Sequence, residues 1–140
     1  MAKTLSESEA LKLISGCRVG HLGCIAKGEP YVVPINYLLE DGAVYGHSLP
    51  GLKIRALRIH PRACLQVVQS NGGFQWRSAI AFGTFEEIES EVERSQVMRK
   101  LIERFPLLTP VESVGPDDAD APEVIVFRIR VDRITGAAEE

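Results

Sequence analysis

Between Tyr31 and Ser48 the chain reads YVVPINYLLEDGAVYGHS, two largely apolar runs separated by Asp41-Gly42. Asp-Gly accepts positive φ at both central turn positions, the geometry of a tight hairpin whose twist matches its strands. A hairpin here commits the chain to antiparallel sheet and sets the register of whatever pairs with it. Leu49-Pro50-Gly51-Leu52-Lys53 then forms a lip that opens a short helix, which stops at His60-Pro61 because the residue before proline leaves helical geometry.

That lip gathers the His47 imidazole, the Ser48 hydroxyl, the Lys53 ammonium and the free N–H groups of a helix start. Fixed donors, a favourable dipole and one mobile cation are the parts of an anion site, and phosphate is the economical occupant. The plainer reading of Lys53 is a solvated lysine in the first turn of a surface helix.

The flanking sequence extends the sheet. Ser6 and Glu9 have capping-box spacing, and Leu11 and Ile14 give the helix they open an apolar side before Gly16 ends it. Arg18 to Ala26 reads as a strand, turned at Lys27-Gly28-Glu29-Pro30 into the Tyr31 strand. Pro34 cannot donate to a ladder, so it marks a sheet edge, a bulge, or a place where a flat ligand replaces a neighbouring strand. Ala63 to Val68 is another strand, and Trp76 to Ile88 is a long one with Gly83 as its bulge or corner. Ser90 and Glu93 repeat the capping spacing before a helix with Met98, Leu101, Ile102 and Phe105 at i, i+3, i+4 and i+7. Pro106 to Pro122, with Asp117, Asp118 and Asp120, lacks the glycine-centred ligand ladder of a calcium loop and reads as solvated loop. Glu123 to Ile134 alternates apolar and charged residues, a final strand with one wet face.

With 140 residues, 45% of them hydrophobic and 25% charged, the chain suits one domain over 1–140 with a real core. A net charge of −3 with scattered cations gives no footprint for nucleic acid. No segment approaches a membrane span or a secretion signal, so a cytoplasmic protein is expected. Cys17, Cys24 and Cys64 are odd in number and lack metal-ligand spacing; they read as buried core thiols, with no metal site, and His21 as a structural histidine. Six strands with short connections and three helices predict a mainly β fold, a small antiparallel barrel with peripheral helices. So small a barrel fills its own interior, which leaves a cofactor-sized ligand to a groove shared with a second copy.

The succession YVVPINY, an acidic-glycine turn, HSLPGLKIRALRIHPRACLQV and WRSAIAFGTFEEIE resembles the pyridoxamine 5′-phosphate oxidase-like FMN-binding split barrels, and most closely the subgroup with nitroimidazole-resistance proteins. The likeness covers roughly Leu5 to Phe105. It implies a six-stranded split barrel, a homodimer, and FMN in clefts between the protomers. By position, Val33, Pro34, Ile35 and Asn36 lie along the flavin ring, His47 and Ser48 meet the cofactor, Lys53 meets its phosphate, and Ser78 approaches the ring. Trp76 stacks across the dimer groove or anchors a core or interface, and Arg77 serves phosphate or, as we favour, an ion pair. Two departures stand out. Relatives carry Arg-Lys where this chain has Leu52-Lys53, which leaves a second phosphate contact to Arg55, Arg58 or the partner. The oxidases also end in a tryptophan- and arginine-bearing tail, whereas this chain ends VDRITGAAEE, so oxidation of pyridoxamine phosphate is not expected.

The resemblance implies a flavoprotein oxidoreductase that passes electrons from NAD(P)H to a small organic acceptor, with His47 as the candidate proton donor. The alternative is a sensor or carrier of the same fold holding flavin or haem, for which His21, His47 and His60 offer ligands without a spacing that selects one. A cofactor-free scaffold is the third reading.

Overall fold

The computed structural model describes residues 2–106 and 124–140. Apart from Pro106, the proline-rich stretch read as solvated loop lies outside the described residues.

Eleven elements follow in order: β1 (Ala2–Thr4), α1 (Glu7–Gly16), β2 (Val19–Ala26), β3 (Glu29–Asn36), β4 (Leu38–Glu40), β5 (Ala43–Ser48), α2 (Leu52–Ile59), β6 (Arg62–Ser70), β7 (Trp76–Glu87), α3 (Glu91–Arg104) and β8 (Ile125–Glu139). The local signals are met. Asp41 and Gly42 adopt φ of 51° and 76°, as the tight hairpin turn requires. Ser6 and Glu9 close a reciprocal capping box on α1, and Ser90 accepts from the Glu93 N–H at the start of α3.

The sheet is antiparallel and runs β3-β2-β6-β7-β8-β5-β4, with β1 added on β8. Its two end strands, β3 and β4, are consecutive in the chain and separated only by Tyr37. The sheet therefore curls until its ends meet through covalent chain rather than through a ladder, which makes a split barrel of the predicted class. The six expected strands are present. The two additional ones are three residues each: β1, and β4, which is cut from β3 where Tyr37 turns inward. Tyr37 is fully buried and its hydroxyl donates to the Ile14 carbonyl, pinning the corner under α1. Burial also holds its phenol protonated well beyond the usual range.

Leu22, Leu65, Val67, Phe127 and Ile129 fill the barrel, and Ile54 and Leu57 of α2 join the same core. Under α3 a second cluster gathers Ile88, Val97, Leu101 and Val126. The buried stripe of α3 is thus rotated from the expected one: Val97 and Leu101 lie inside while Ile102 stays exposed. β7 bends at the expected place. Its register with β8 shifts between Phe82 and Gly83, and a Cβ on Gly83 would stand 2.1 Å from the Arg130 carbonyl oxygen. β8 runs on past Ile134, where no strand was expected. Gly136 explains the small-residue sequence there, because a Cβ on it would lie 3.0 Å from Ala10 Cβ and 3.1 Å from Leu5 Cβ, so its bareness lets the start of α1 lie close on the sheet.

Candidate functional site at the split of the barrel

β4 leaves β5 after the Leu38–Tyr45 pair, and β3 pairs only with β2. His47 and Ser48 therefore extend beyond β4, held on their other side by Val126 and Ile125 of β8. The split opens between these residues and the end of β3, and α2 begins directly after it. Gly51 caps α2 without a side-chain hydrogen bond, and no acidic residue lies in its first turn. The N–H groups that Ser6 and Ser90 satisfy on the other helices are left without a side-chain acceptor here.

Two side chains set the chemistry of this mouth. Lys53 is half-buried, and burial lowers its pKa while the Cys24 thiol opposes that shift; among the described residues no carboxylate contributes. His47 is also half-buried, and burial, with the Lys53 charge next, lowers its pKa and favours the neutral ring. Its Nδ1 is buried without a hydrogen-bond partner. An ammonium with no counter-ion among the described residues, an orphaned imidazole nitrogen and open helix-start donors form a set that an anionic group with both acceptor and donor atoms completes. A phosphate fits Lys53 and the helix start, and the polar edge of a flat ring fits His47.

Not every expected residue can contribute as expected. Strand alternation divides the β3 segment: Pro34 and Asn36 face outward, whereas Ile35 is buried in the core and Val33 packs against it. Ile35 and Val33 therefore offer backbone rather than side-chain walls. Ser48 Oγ donates 2.7 Å to the Leu49 carbonyl, so its hydroxyl is engaged in its own turn. Arg58, one candidate for the second phosphate contact, forms two bonds of 2.6 and 3.0 Å with Glu87. Arg55 remains exposed beside the mouth.

Trp76 and Arg77 lie elsewhere in the protomer. They pair with Glu139 and Ala138, whereas His47 and Ser48 pair with Val126 and Ile125, at the opposite end of β8. Roughly 40 Å of strand contour separates the two groups. Arg77 forms the favoured ion pair, with Glu9 at 3.3 Å, and its Nε is buried without a partner. Along β8, therefore, Trp76 and Arg77 lie far from the mouth.

Ser78 stands on the outer face of the barrel and accepts from Gln66 Nε2 at 3.2 Å; Gln66 Oε1 in turn lies 3.2 Å from His21 Nδ1. His21, expected as a structural histidine, and Gln66 thus share this face with Ser78. Alternation along β2, which turns His21 outward opposite Pro34, was the available signal. Beside this row lies an apolar depression of about 340 Å³, lined by Gly23, Ile25, Tyr31, Val32, Cys64 and Phe82. Of the three cysteines only Cys24 is buried. Cys64 faces the depression half-exposed and Cys17 is half-exposed at the end of α1, a correction to the expectation of three core thiols.

The sequence model of the family described as pyridoxamine 5′-phosphate oxidase matches residues 6–138. The chain belongs to that family. It is similar to the crystal structure of a FAD-binding protein from Mesorhizobium loti, with 30% identity, 100% of this chain and 99% of that one covered, and a TM-score of 0.81. A proposed 5-nitroimidazole antibiotic resistance protein from Bacteroides thetaiotaomicron shares the fold at 23% identity and a TM-score of 0.75, over 100% of this chain and 93% of its own. An uncharacterized protein of Rhizobium meliloti is 26% identical over 97% of this chain and 94% of its own. In this member of the pyridoxamine 5′-phosphate oxidase family the closing Thr135-Gly136-Ala137-Ala138 is sheet, paired with both β7 and β1 from Ala137 on. Among the described residues no helix is long and apolar enough to cross a membrane.

Proposed function

We propose that this chain is a flavin-binding oxidoreductase, a homodimer that holds FMN, or the FMN part of FAD, in two clefts at the split of each barrel. The observation that carries the proposal is the unpaired, half-buried Lys53 beside the orphaned Nδ1 of His47. The 30% identical protein described as FAD-binding supports the same reading. Lys53 and the first turn of α2 bind the phosphate, with Arg55 or the partner supplying any second cation. Pro34, Asn36 and the backbone of Val33 and Ile35 lie along the ring. His47, kept neutral by its surroundings, meets the polar edge as a hydrogen-bond partner, a role its lowered pKa suits better than proton donation. Trp76, Arg77 and Ser78 come from the second protomer, which rests on the outer face where Val19, Ile25, Val32 and Val68 are exposed.

The bound flavin supplies hydride chemistry at its N5, and NAD(P)H and a small organic acceptor such as a nitro-aromatic compound or quinone are the proposed substrates. The chain's own residues bind, orient and exclude water. The absorbance spectrum of the purified protein, with mass spectrometry of what denaturation releases, tests this. Flavin bands with FMN or FAD released are expected. A colourless protein that refuses added FMN overturns the proposal, and a Soret band without flavin replaces it with haem. Oxidation of NADH or NADPH with a nitro-aromatic acceptor then decides between enzyme and carrier.

A further inference from the structure

The row His21, Gln66 and Ser78 crosses β2, β6 and β7 on the outer face, and the proposed function uses only its last member. Gln66 is held at both ends. Its Oε1 meets His21 Nδ1 at 3.2 Å and its Nε2 donates to Ser78 Oγ at 3.2 Å. In this arrangement His21 carries hydrogen on Nδ1, Ser78 Oγ accepts from the amide, and the Ser78 hydrogen is left for another acceptor. A primary amide also fits the same gap reversed. Gln66 Nε2 would then donate to a bare Nδ1 and Ser78 would donate to Oε1, leaving only its lone pairs to face outward. A neutral His21 permits both arrangements. A protonated His21, with hydrogen on both nitrogens, permits only the first.

We infer that His21 and Gln66 are positioning residues that set the hydrogen-bonding polarity of Ser78, so that a proton on His21 makes Ser78 a donor toward whatever lies over this face. Resting on the flavin reading, the group lying there is the polar edge of the ring, whose atoms include both donors and acceptors, so the direction of one hydroxyl tunes it. Few other charges compete for control. Among the outward neighbours of His21 on β3 and β6, namely Val32, Pro34, Asn36, Cys64 and Val68, the only titratable group is the Cys64 thiol. Toward β7, Ile80 and Phe82 are uncharged, and Arg133 of β8 is stacked on Phe82 with its guanidinium 3.9 Å from the ring centroid.

The experiment has two arms. In the first, ¹⁵N-labelled protein without added flavin is titrated by NMR. The side-chain amide signals of Gln66 are expected to follow the His21 midpoint, and to stay flat in His21→Phe. Gln66 signals indifferent to His21 in the wild type overturn the coupling, whether or not flavin binds. In the second arm, the absorbance of bound FMN is followed against pH. A step at the His21 midpoint is expected, and its loss in His21→Phe, Gln66→Leu and Ser78→Ala. Gln66→Glu gives a sharper signature, because a carboxylate accepts from both neighbours and locks Ser78 inward. The flavin band should then show no step at the His21 midpoint. A step that survives Gln66→Leu, or no step in the wild type, overturns the inference while leaving the flavin reading intact. Failure of the wild type to take up FMN refutes the flavin reading, and the first arm alone then decides the coupling.

Discussion

Lys53 is worth more to a bound anion than to the empty fold. Burial lowers its pKa and no carboxylate among the described residues offsets the cost, so the charge is a liability until a ligand arrives. Replacing it with alanine should weaken FMN binding by about 1.5–3 kcal/mol, the worth of a hydrogen bond to a charged group, with folding unharmed. Isothermal titration beside a urea melt checks both halves; undiminished affinity removes Lys53 from the site. His47 has a consequence of its own. Its folded pKa lies below the ordinary 6.5, so between the two values the unfolded chain binds more protons than the folded one. Stability of the flavin-free protein should therefore fall as pH drops through 6.5 toward the folded value, then lose nothing further to this residue. The urea midpoint of His47→Asn, compared with wild type from pH 8 to 5, should be flatter by that increment, and parallel curves would contradict it.

At the level of elements, one side chain of α3 reaches three backbone carbonyls outside the helix. Arg104, in its last turn, donates to the carbonyls of Tyr37 at 3.1 Å, Ser15 at 3.3 Å and Cys17 at 2.7 Å. It thereby joins the end of α1 to the corner between β3 and β4 and satisfies carbonyls that a helix terminus leaves open. Arg104→Ala should cost on the order of 2 kcal/mol in urea unfolding, since three carbonyls lose a charged donor at a partly buried site. A loss within a few tenths would show that water replaces it. Arg104 also illustrates what sequence alone withholds. The Asp41-Gly42 turn, the Ser6 and Ser90 caps and the Gly83 bend were legible because a few adjacent residues decide them. The cut at Tyr37, the burial of Val97 in place of Ile102 and the extension of β8 over Gly136 were not, because each is settled by a partner dozens of residues away. The site divided the same way: the lip could be read locally, whereas the inward turn of Ile35 and the use of Arg58 by Glu87 depend on alternation and packing.

For the whole molecule the deciding fact is that His47 and Ser48 sit at one end of β8 and Trp76 and Arg77 at the other. In the proposed dimer, two barrels related by a two-fold axis bring both ends to one cofactor, and each completes the other's site. The outer face is suited to such a partner, with Val19, Val32 and Val68 at 53%, 63% and 48% exposure around an apolar depression. Shared sites make an unusual demand on mixed variants. On the proposed arrangement, Lys53→Ala damages the site to which a protomer gives its lip, and Trp76→Ala damages the site to which it gives its long strand. In a dimer containing one of each, both defects fall in the same cleft and the other cleft is wholly wild type. Two preparations that bind FMN poorly should therefore regain binding when their subunits are exchanged, up to about a quarter of all sites for random mixing. Fluorescence quenching of FMN before and after exchange gives the number, and light scattering with differently tagged chains establishes that hybrids form. If Lys53 and Trp76 served a site within one protomer, every chain in the mixture would still carry a defect, and hybrids would bind no better than their parents.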